Sequence, residues 1–294
     1  MQNADLPPPW PARLIERLRT TGLLEVAPQD FHLLTGGYKN HVWRFGNVVV
    51  KEFVASALDD NPSFPNLPEH EALVLQHLKG TALAPEFRGF LPETDEGAVL
   101  VYDYAWGKPW SGDTAEIARC LLHLHKLPLP PGLRVLPSLD ADVLADGDRV
   151  LAIAGGDETL EWLRPKPKSL APPPPVLAHT DLGPGNIIKT QQGLRIIDWQ
   201  CPGLGNPVED MVAFLSPAFM ILYGLEPHSL EDEGLFLATY GSAPVVDHFH
   251  AVRAAFHWRF ACYCIYRQRL LSGEVSTRYA RALAAECALL TRLR

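Results

Sequence analysis

The chain has 294 residues, 47% of them hydrophobic and 20% charged, the balance of a folded globular protein and not of a disordered one. Thirty-four acidic residues against 26 Lys and Arg leave a formal charge of −8, which argues against nucleic acid as a partner, since phosphate backbones demand clustered cations.

Residues 1–10 are Pro-rich and read as a tail, followed by a short helix over residues 11–22 that glycine closes. From Phe31 the pattern turns to strands. Residues 41–45 and 48–53 form a pair around Gly46-Asn47, a favoured filling for a two-residue hairpin turn. The period of two places Val49, Lys51 and Phe53 on one face. A lysine on an apolar face is costly unless a negative partner meets it there. Residues 66–79 read as a helix with Asn66 as its cap, Pro68 in the first turn and Glu69 three residues after the cap. Residues 98–104 form a continuous apolar strand. Asp113 then caps a helix with Glu116 three later, and Ile117, Leu121 and Leu124 share one side. Residues 127–175 are Pro- and Gly-rich and hold one or two short helices among loops. Helices are expected over 208–222, 246–271 and 276–293.

Strands therefore dominate the first part and helices the second. This segregation predicts an α+β protein with a cleft between two lobes, residues 1–104 and 105–294. The five cysteines show no Cys-x-x-Cys or zinc spacing and read as buried thiols in a reducing compartment. No basic segment followed by an apolar one opens the chain, and its longest apolar stretch, residues 211–225, contains Pro217 and is too short for a bilayer. A cytoplasmic protein without a membrane partner is the expectation.

The chemistry concentrates in His179-Thr180-Asp181-Leu182-Gly183-Pro184-Gly185-Asn186 and in Ile196-Ile197-Asp198-Trp199. Gly183, Pro184 and Gly185 preclude a regular helix, so the loop is free to turn Asp181 and Asn186 toward one point. Asp198 leaves a buried strand, where an unpaired carboxylate is expensive. A divalent cation resolves that cost, and Mg²⁺ takes carboxylate and amide oxygens. Two carboxylates and an amide so arranged suit phosphoryl transfer.

These motifs resemble the aminoglycoside phosphotransferase and choline kinase family, small-molecule kinases with a bilobal protein-kinase-like fold. In that fold an antiparallel sheet with a helix forms the N-lobe, and the C-lobe is mostly helical. The family's catalytic loop looks like His-Gly-Asp-Leu-His-Pro-Gly-Asn and its following element like Ile-Asp-Trp. Its later Gly-Asp-Pro-x-x-Asp-Leu-Ala is similar to Gly205-Asn206-Pro207-Val208-Glu209-Asp210-Met211-Val212, and its Leu-His-x-Leu to residues 124–127. The resemblance implies ATP or GTP as phosphate donor, Mg²⁺ as cofactor and a small-molecule hydroxyl as acceptor. It implies Asp181 as the catalytic residue that takes or orients the hydroxyl proton, and Asn186 and Asp198 as metal ligands. Asp210 would brace the loop, and His179 would pack behind it.

For the nucleotide, the resemblance implies Lys51 on the phosphates with Glu71 pairing to it, Gly36, Gly37 and Asn40 in the turn above, and backbone groups of Asp103 and Ala105 on adenine. Two positions depart from the family. Thr180 replaces a usual glycine, and Gly183 stands where His is common. Trp199-Gln200 excludes the Asp-Phe-Gly arrangement of protein kinases, which makes a protein substrate unexpected.

For the acceptor, three features compete. Glu226, Glu231, Asp232 and Glu233 suit an amine but equally form a helix start. Trp258, Tyr263 and Tyr266 suit a quaternary ammonium but equally pack as core. Arg253, Arg259, Arg267 and Arg269 suit an acidic or phosphorylated acceptor. An amino sugar or amino alcohol is slightly preferred. The rival reading is a nucleotide-binding pseudokinase that regulates a partner protein.

Overall fold

The computed structural model describes residues 12–24, 31–34, 40–53, 61–92 and 97–294. The tail and Gly36 and Gly37 lie outside these. Helix α1 (Ala12–Thr20) precedes strands β1 (Phe31–Leu33), β2 (Asn40–Phe45) and β3 (Val48–Phe53), and then come helix α2 (Pro68–His77) and strands β4 (Phe87–Leu91) and β5 (Val99–Asp103). The strands make one antiparallel sheet in the order β1-β2-β3-β5-β4. The β2–β3 turn is the predicted one: Phe45 pairs with Val48, and Gly46 takes the left-handed φ of 54° that such a turn needs.

Because β3 is central, both its faces are covered. Val48 and Val50 pack with Trp43, Phe45 and Leu18, while Val49 and Phe53 belong to the larger core that includes Leu75 of α2 and Leu78 at its C-cap. Lys51 thus projects from the face that α2 covers.

Strand β6 (Gly107–Pro109) opens the second part, followed by α3 (Thr114–Leu124), α4 (Asp140–Ile153), α5 (Glu158–Leu163) and β7 (Val176–Ala178). The hairpin β8 (Ile187–Thr190) and β9 (Gly193–Ile196) and the short β10 (Gly203–Gly205) come next, and then α6 (Val208–Leu215), α7 (Pro217–Leu222), α8 (Leu230–Tyr240), α9 (Ala243–Leu270) and α10 (Gly273–Leu293). Asp113 caps α3 as expected, its carboxylate accepting from the Ala115 N–H at 2.7 Å. Cys201, Cys262 and Cys264 are buried, and all five thiols are free. Among the described residues, no helix is long and apolar enough to cross a membrane.

Two local expectations are corrected. Asn66 does not cap α2, whose N-cap is Leu67 with no side-chain bond. Its amide instead exchanges two hydrogen bonds with Asn40, at 3.1 and 2.7 Å. Residues 208–222 are two helices, because Pro217 cannot donate and starts a new helix at N1. The buried Ser216 hydroxyl accepts the first N–H groups of α7 and donates to Glu286 of α10, which also pairs with His257 Nδ1 of α9 at 2.9 Å. The break therefore seats α7 beside the two long helices.

Candidate active site

Lys51 Nζ donates to Glu71 Oε2 and to Asp198 Oδ1, both at 2.6 Å. The ammonium is buried, which disfavours its charge, but Asp198 and Glu71 outweigh burial and hold it above the ordinary lysine range. This answers the sequence problem of a lysine on an apolar face. Glu71 also receives the Trp199 backbone N–H, so α2, β3 and the segment after β9 meet at one buried ion cluster.

Asp198 stands at a left-handed φ of 61°. Its side chain is 36% exposed, and Oδ2 has no hydrogen-bond partner among the described residues. Asn186 ends a single 3-10 turn, residues 184–186. Its Nδ2 donates to the Asp181 carbonyl at 2.8 Å, and its own carbonyl accepts the Ile197 N–H at 2.9 Å. Binding through Nδ2 leaves Oδ1 available. Asn186 Oδ1 and Asp198 Oδ2 are hard oxygen donors that suit Mg²⁺, which keeps waters and substrate phosphates as its remaining ligands. Among the described residues, no group of three or more His, Cys, Asp or Glu is placed to hold a metal ion.

Asp181 lies half-buried on the same loop. Burial, with the Asp198 carboxylate beside it, pushes its carboxyl up to about 8, and a hydrogen bond from Gln200 opposes this. The loop behind it is fully tied. The Asp210 carboxylate accepts from the N–H groups of His179 and Thr180 at 3.0 and 2.8 Å and meets His125 Nε2 at 3.2 Å. His125 closes α3 and reaches Tyr240 with Nδ1 at 2.9 Å. His179 is buried edge-on against Trp199. Its Nε2 donates to the Ile197 carbonyl at 3.0 Å, and Nδ1 accepts the Asp181 N–H at 3.3 Å. Both ring nitrogens are committed and burial holds the ring neutral, so His179 is a support and no general base.

The two departures from the family loop have physical accounts. Thr180 adopts a left-handed φ of 71°, a conformation that costs a non-glycine residue about 1–3 kcal/mol. Its buried hydroxyl donates to the Cys201 carbonyl at 2.8 Å, which offsets about 1 kcal/mol of that. Thr180→Gly is therefore expected to change stability by less than about 1 kcal/mol. Thr180→Val, which keeps the strain and loses the hydroxyl, is expected to cost about 1–3 kcal/mol. Urea unfolding of the two variants measures the difference, and an equal loss from both would refute the strain account. At Gly183 and Gly185 the Tyr223 ring lies directly on the loop, where a Cβ at either position would overlap it, and Phe219 stands 3.1 Å from a Cβ on Gly183. Tyr223 thus fills the space that a larger side chain at position 183 would need.

On the sheet side, Tyr102 is buried close to Lys51. The Asp103 side chain pairs with Arg88, and its backbone N–H donates to the Glu86 carbonyl at 2.9 Å. Ala105 follows, its N–H and C=O without a hydrogen-bond partner among the described residues. Both residues line a cavity of about 780 Å³. Neither Lys51 nor Asp181 lines that cavity. Asn40 is buried and held by Asn66. Sequence reasoning missed Tyr223, Gln200 and Tyr102. It quoted His125 without giving it a role.

A model of the phosphotransferase enzyme family matches residues 30–243, spanning the sheet, the ion cluster and the loop. The chain belongs to this family. Thiamine kinase from Shigella boydii serotype 4 is 31% identical over 121 residues, 39% of this chain. The match covers 42% of the length of that relative. Among solved structures, choline kinase LicA from Streptococcus pneumoniae superposes with a TM-score of 0.62 at 17% identity, over 94% of this chain and 98% of that one. The GDP complex of aminoglycoside 2'-phosphotransferase-IIIa gives 0.66 at 14% identity, over 95% and 99%. At these identities the likeness is one of fold, and it establishes the expected α+β, protein-kinase-like architecture.

Proposed function

We propose that this phosphotransferase moves the γ-phosphate of ATP or GTP, with Mg²⁺, to a hydroxyl of a small molecule. The observation that carries the reading is the convergence of Lys51, Glu71 and Asp198 in one buried cluster beside the braced Asp181–Asn186 loop. In this reading Asp181 takes or orients the hydroxyl proton, Asn186 and Asp198 hold the metal, and Lys51, steadied by Glu71, binds the α and β phosphates. The Asp103 and Ala105 backbone receives the purine edge, and the turn of Gly36, Gly37 and Asn40 covers the phosphates. Bound Mg²⁺ supplies charge screening on the phosphates. Alignment and preorganised charge then do most of the catalysis. Residues 1–104 form the nucleotide lobe and residues 105–294 the acceptor lobe. The relatives named for thiamine, choline and aminoglycosides support a small-molecule acceptor, in keeping with an amino alcohol or amino sugar.

The test is ADP release on a panel of aminoglycosides, choline, ethanolamine, thiamine, homoserine and free sugars, with Mg²⁺ and with excess chelator. Acceptor-stimulated release that the chelator abolishes is the expected outcome. ATP binding without stimulation by any acceptor would favour the pseudokinase instead.

A further inference from the structure

The sequence places four arginines, at 253, 259, 267 and 269, on the long helix α9. Three are committed. Arg253 pairs with Glu233 and Arg259 with Glu209. Arg269 donates to the carbonyls of Ala154 and Gly156 at 2.6 and 2.7 Å and reaches Asp157 at 3.4 Å. Arg267 differs. Among the described residues it has no carboxylate partner, and its Nε is buried with no acceptor. The guanidinium lies over the Tyr279 ring, 5.6 Å from the centroid, and donates to the Tyr279 hydroxyl. It is half-buried, and a charged donor left unpaired at such depth is costly.

Its surroundings lead back to the reaction site. The Tyr279 hydroxyl is hydrogen-bonded to Tyr263, and the Tyr263 hydroxyl accepts from Asn61 Nδ2 at 2.8 Å. Burial raises the Tyr263 phenol, and the Asp181 charge is close enough to add to that. A line of polar side chains therefore runs from beside Asp181 into the α9–α10 pair and ends on a cation that has no counter-charge among the described residues.

Three of the residues that favoured a cationic acceptor have other uses. Trp258 is fully buried and donates to the Leu160 carbonyl at 2.8 Å. Asp232 closes a capping box with Ser229, and Glu233 is paired with Arg253.

We propose that Arg267 determines acceptor specificity by docking an oxyanion of the acceptor, a carboxylate or a phosphate, so that its hydroxyl is presented to Asp181. A guanidinium fork binds either group in two parallel hydrogen bonds, which fixes direction as well as position. Tyr263 and Tyr279 flank it as polar walls. This assignment rests on the phosphotransfer reading above and, within its small-molecule hydroxyl acceptors, puts a hydroxylated acid in place of the amino compound.

The experiment compares acceptors matched except for the anionic group: glycerate with glycerol, pantothenate with panthenol, and glycerol 3-phosphate as the phosphate arm, beside choline and ethanolamine. ADP release gives kcat and KM for each. The best oxyanion acceptor should exceed its neutral counterpart by about tenfold or more in kcat/KM, and the carboxylate and phosphate arms identify which oxyanion is read. Arg267→Gln should raise the KM of that acceptor about thirtyfold with a smaller change in kcat, and Arg267→Lys should recover part of it. A role limited to packing would move the melting temperature of the Gln and Lys variants together and leave KM in place. Matched acceptors within about twofold of each other, or an unchanged KM in Arg267→Gln, would overturn the assignment. Turnover of choline, ethanolamine or the neutral alcohols alone overturns it while sparing phosphotransfer. No stimulation of release by any acceptor overturns both.

Discussion

Asp181→Asn is expected to lower kcat and kcat/KM together by about a thousandfold, because general-base positioning typically contributes a hundred- to ten-thousandfold. The substitution is close to isosteric, so the Asp181 N–H bond to His179 and the Asn186 bond to the Asp181 carbonyl both survive. The charge alone is removed. Stability should move the other way. Burial and the neighbouring Asp198 disfavour the Asp181 carboxylate, so neutralising it relieves an unfavourable interaction, as is common where a site is shaped for activity. Steady-state kinetics and a thermal melt on the same preparation check both signs. Near-wild-type turnover would remove Asp181 from the reaction.

Asp210→Ala is expected to be the most destabilising single change near the site, by about 3–5 kcal/mol. The carboxylate is fully buried and serves three groups: the N–H groups of His179 and Thr180 and the His125 ring. Truncation leaves all three without an acceptor in a place water does not reach, and each orphan costs about 1–3 kcal/mol. The activity loss follows from the same bonds, since they set the backbone on which Asp181 stands. Asp210→Asn keeps one acceptor oxygen but turns an NH₂ toward donors, so an intermediate cost of about 2–3 kcal/mol is expected. Urea unfolding gives both values. A cost below about 1 kcal/mol for the alanine variant would show that the loop is held by something else.

Much of this site is legible in the sequence because its chemistry is unusual there. Lys51 on an apolar face and Asp198 at a buried strand end each posed an electrostatic problem, Glu71 followed from the resemblance, and the fold brings all three into one cluster. Asp210 was readable from the motif around Pro207. What stayed hidden depended on distant packing. Tyr223 has an ordinary sequence context, and only the path of α7 lays it on Gly183 and Gly185. Gln200 meets Asp181 because the chain reverses through left-handed Asp198, and periodicity carries no trace of a single inverted φ. Asn66 looked like a helix cap because an amide satisfies a helix end and a second buried amide equally well. The acceptor region was the least legible. Its candidate acids, aromatics and arginines could be told apart only once three of the four arginines had found their partners.

The central claim is Mg²⁺-dependent transfer of phosphate to a small-molecule hydroxyl, and ³¹P NMR of the reaction mixture tests it most directly. With protein, ATP, Mg²⁺ and the best acceptor of the panel present, the account predicts a phosphate monoester resonance growing as ADP appears. The resonance should be absent with Asp198→Ala or excess chelator. ADP appearing alongside free phosphate only, or a monoester formed equally well by Asp198→Ala, would contradict it.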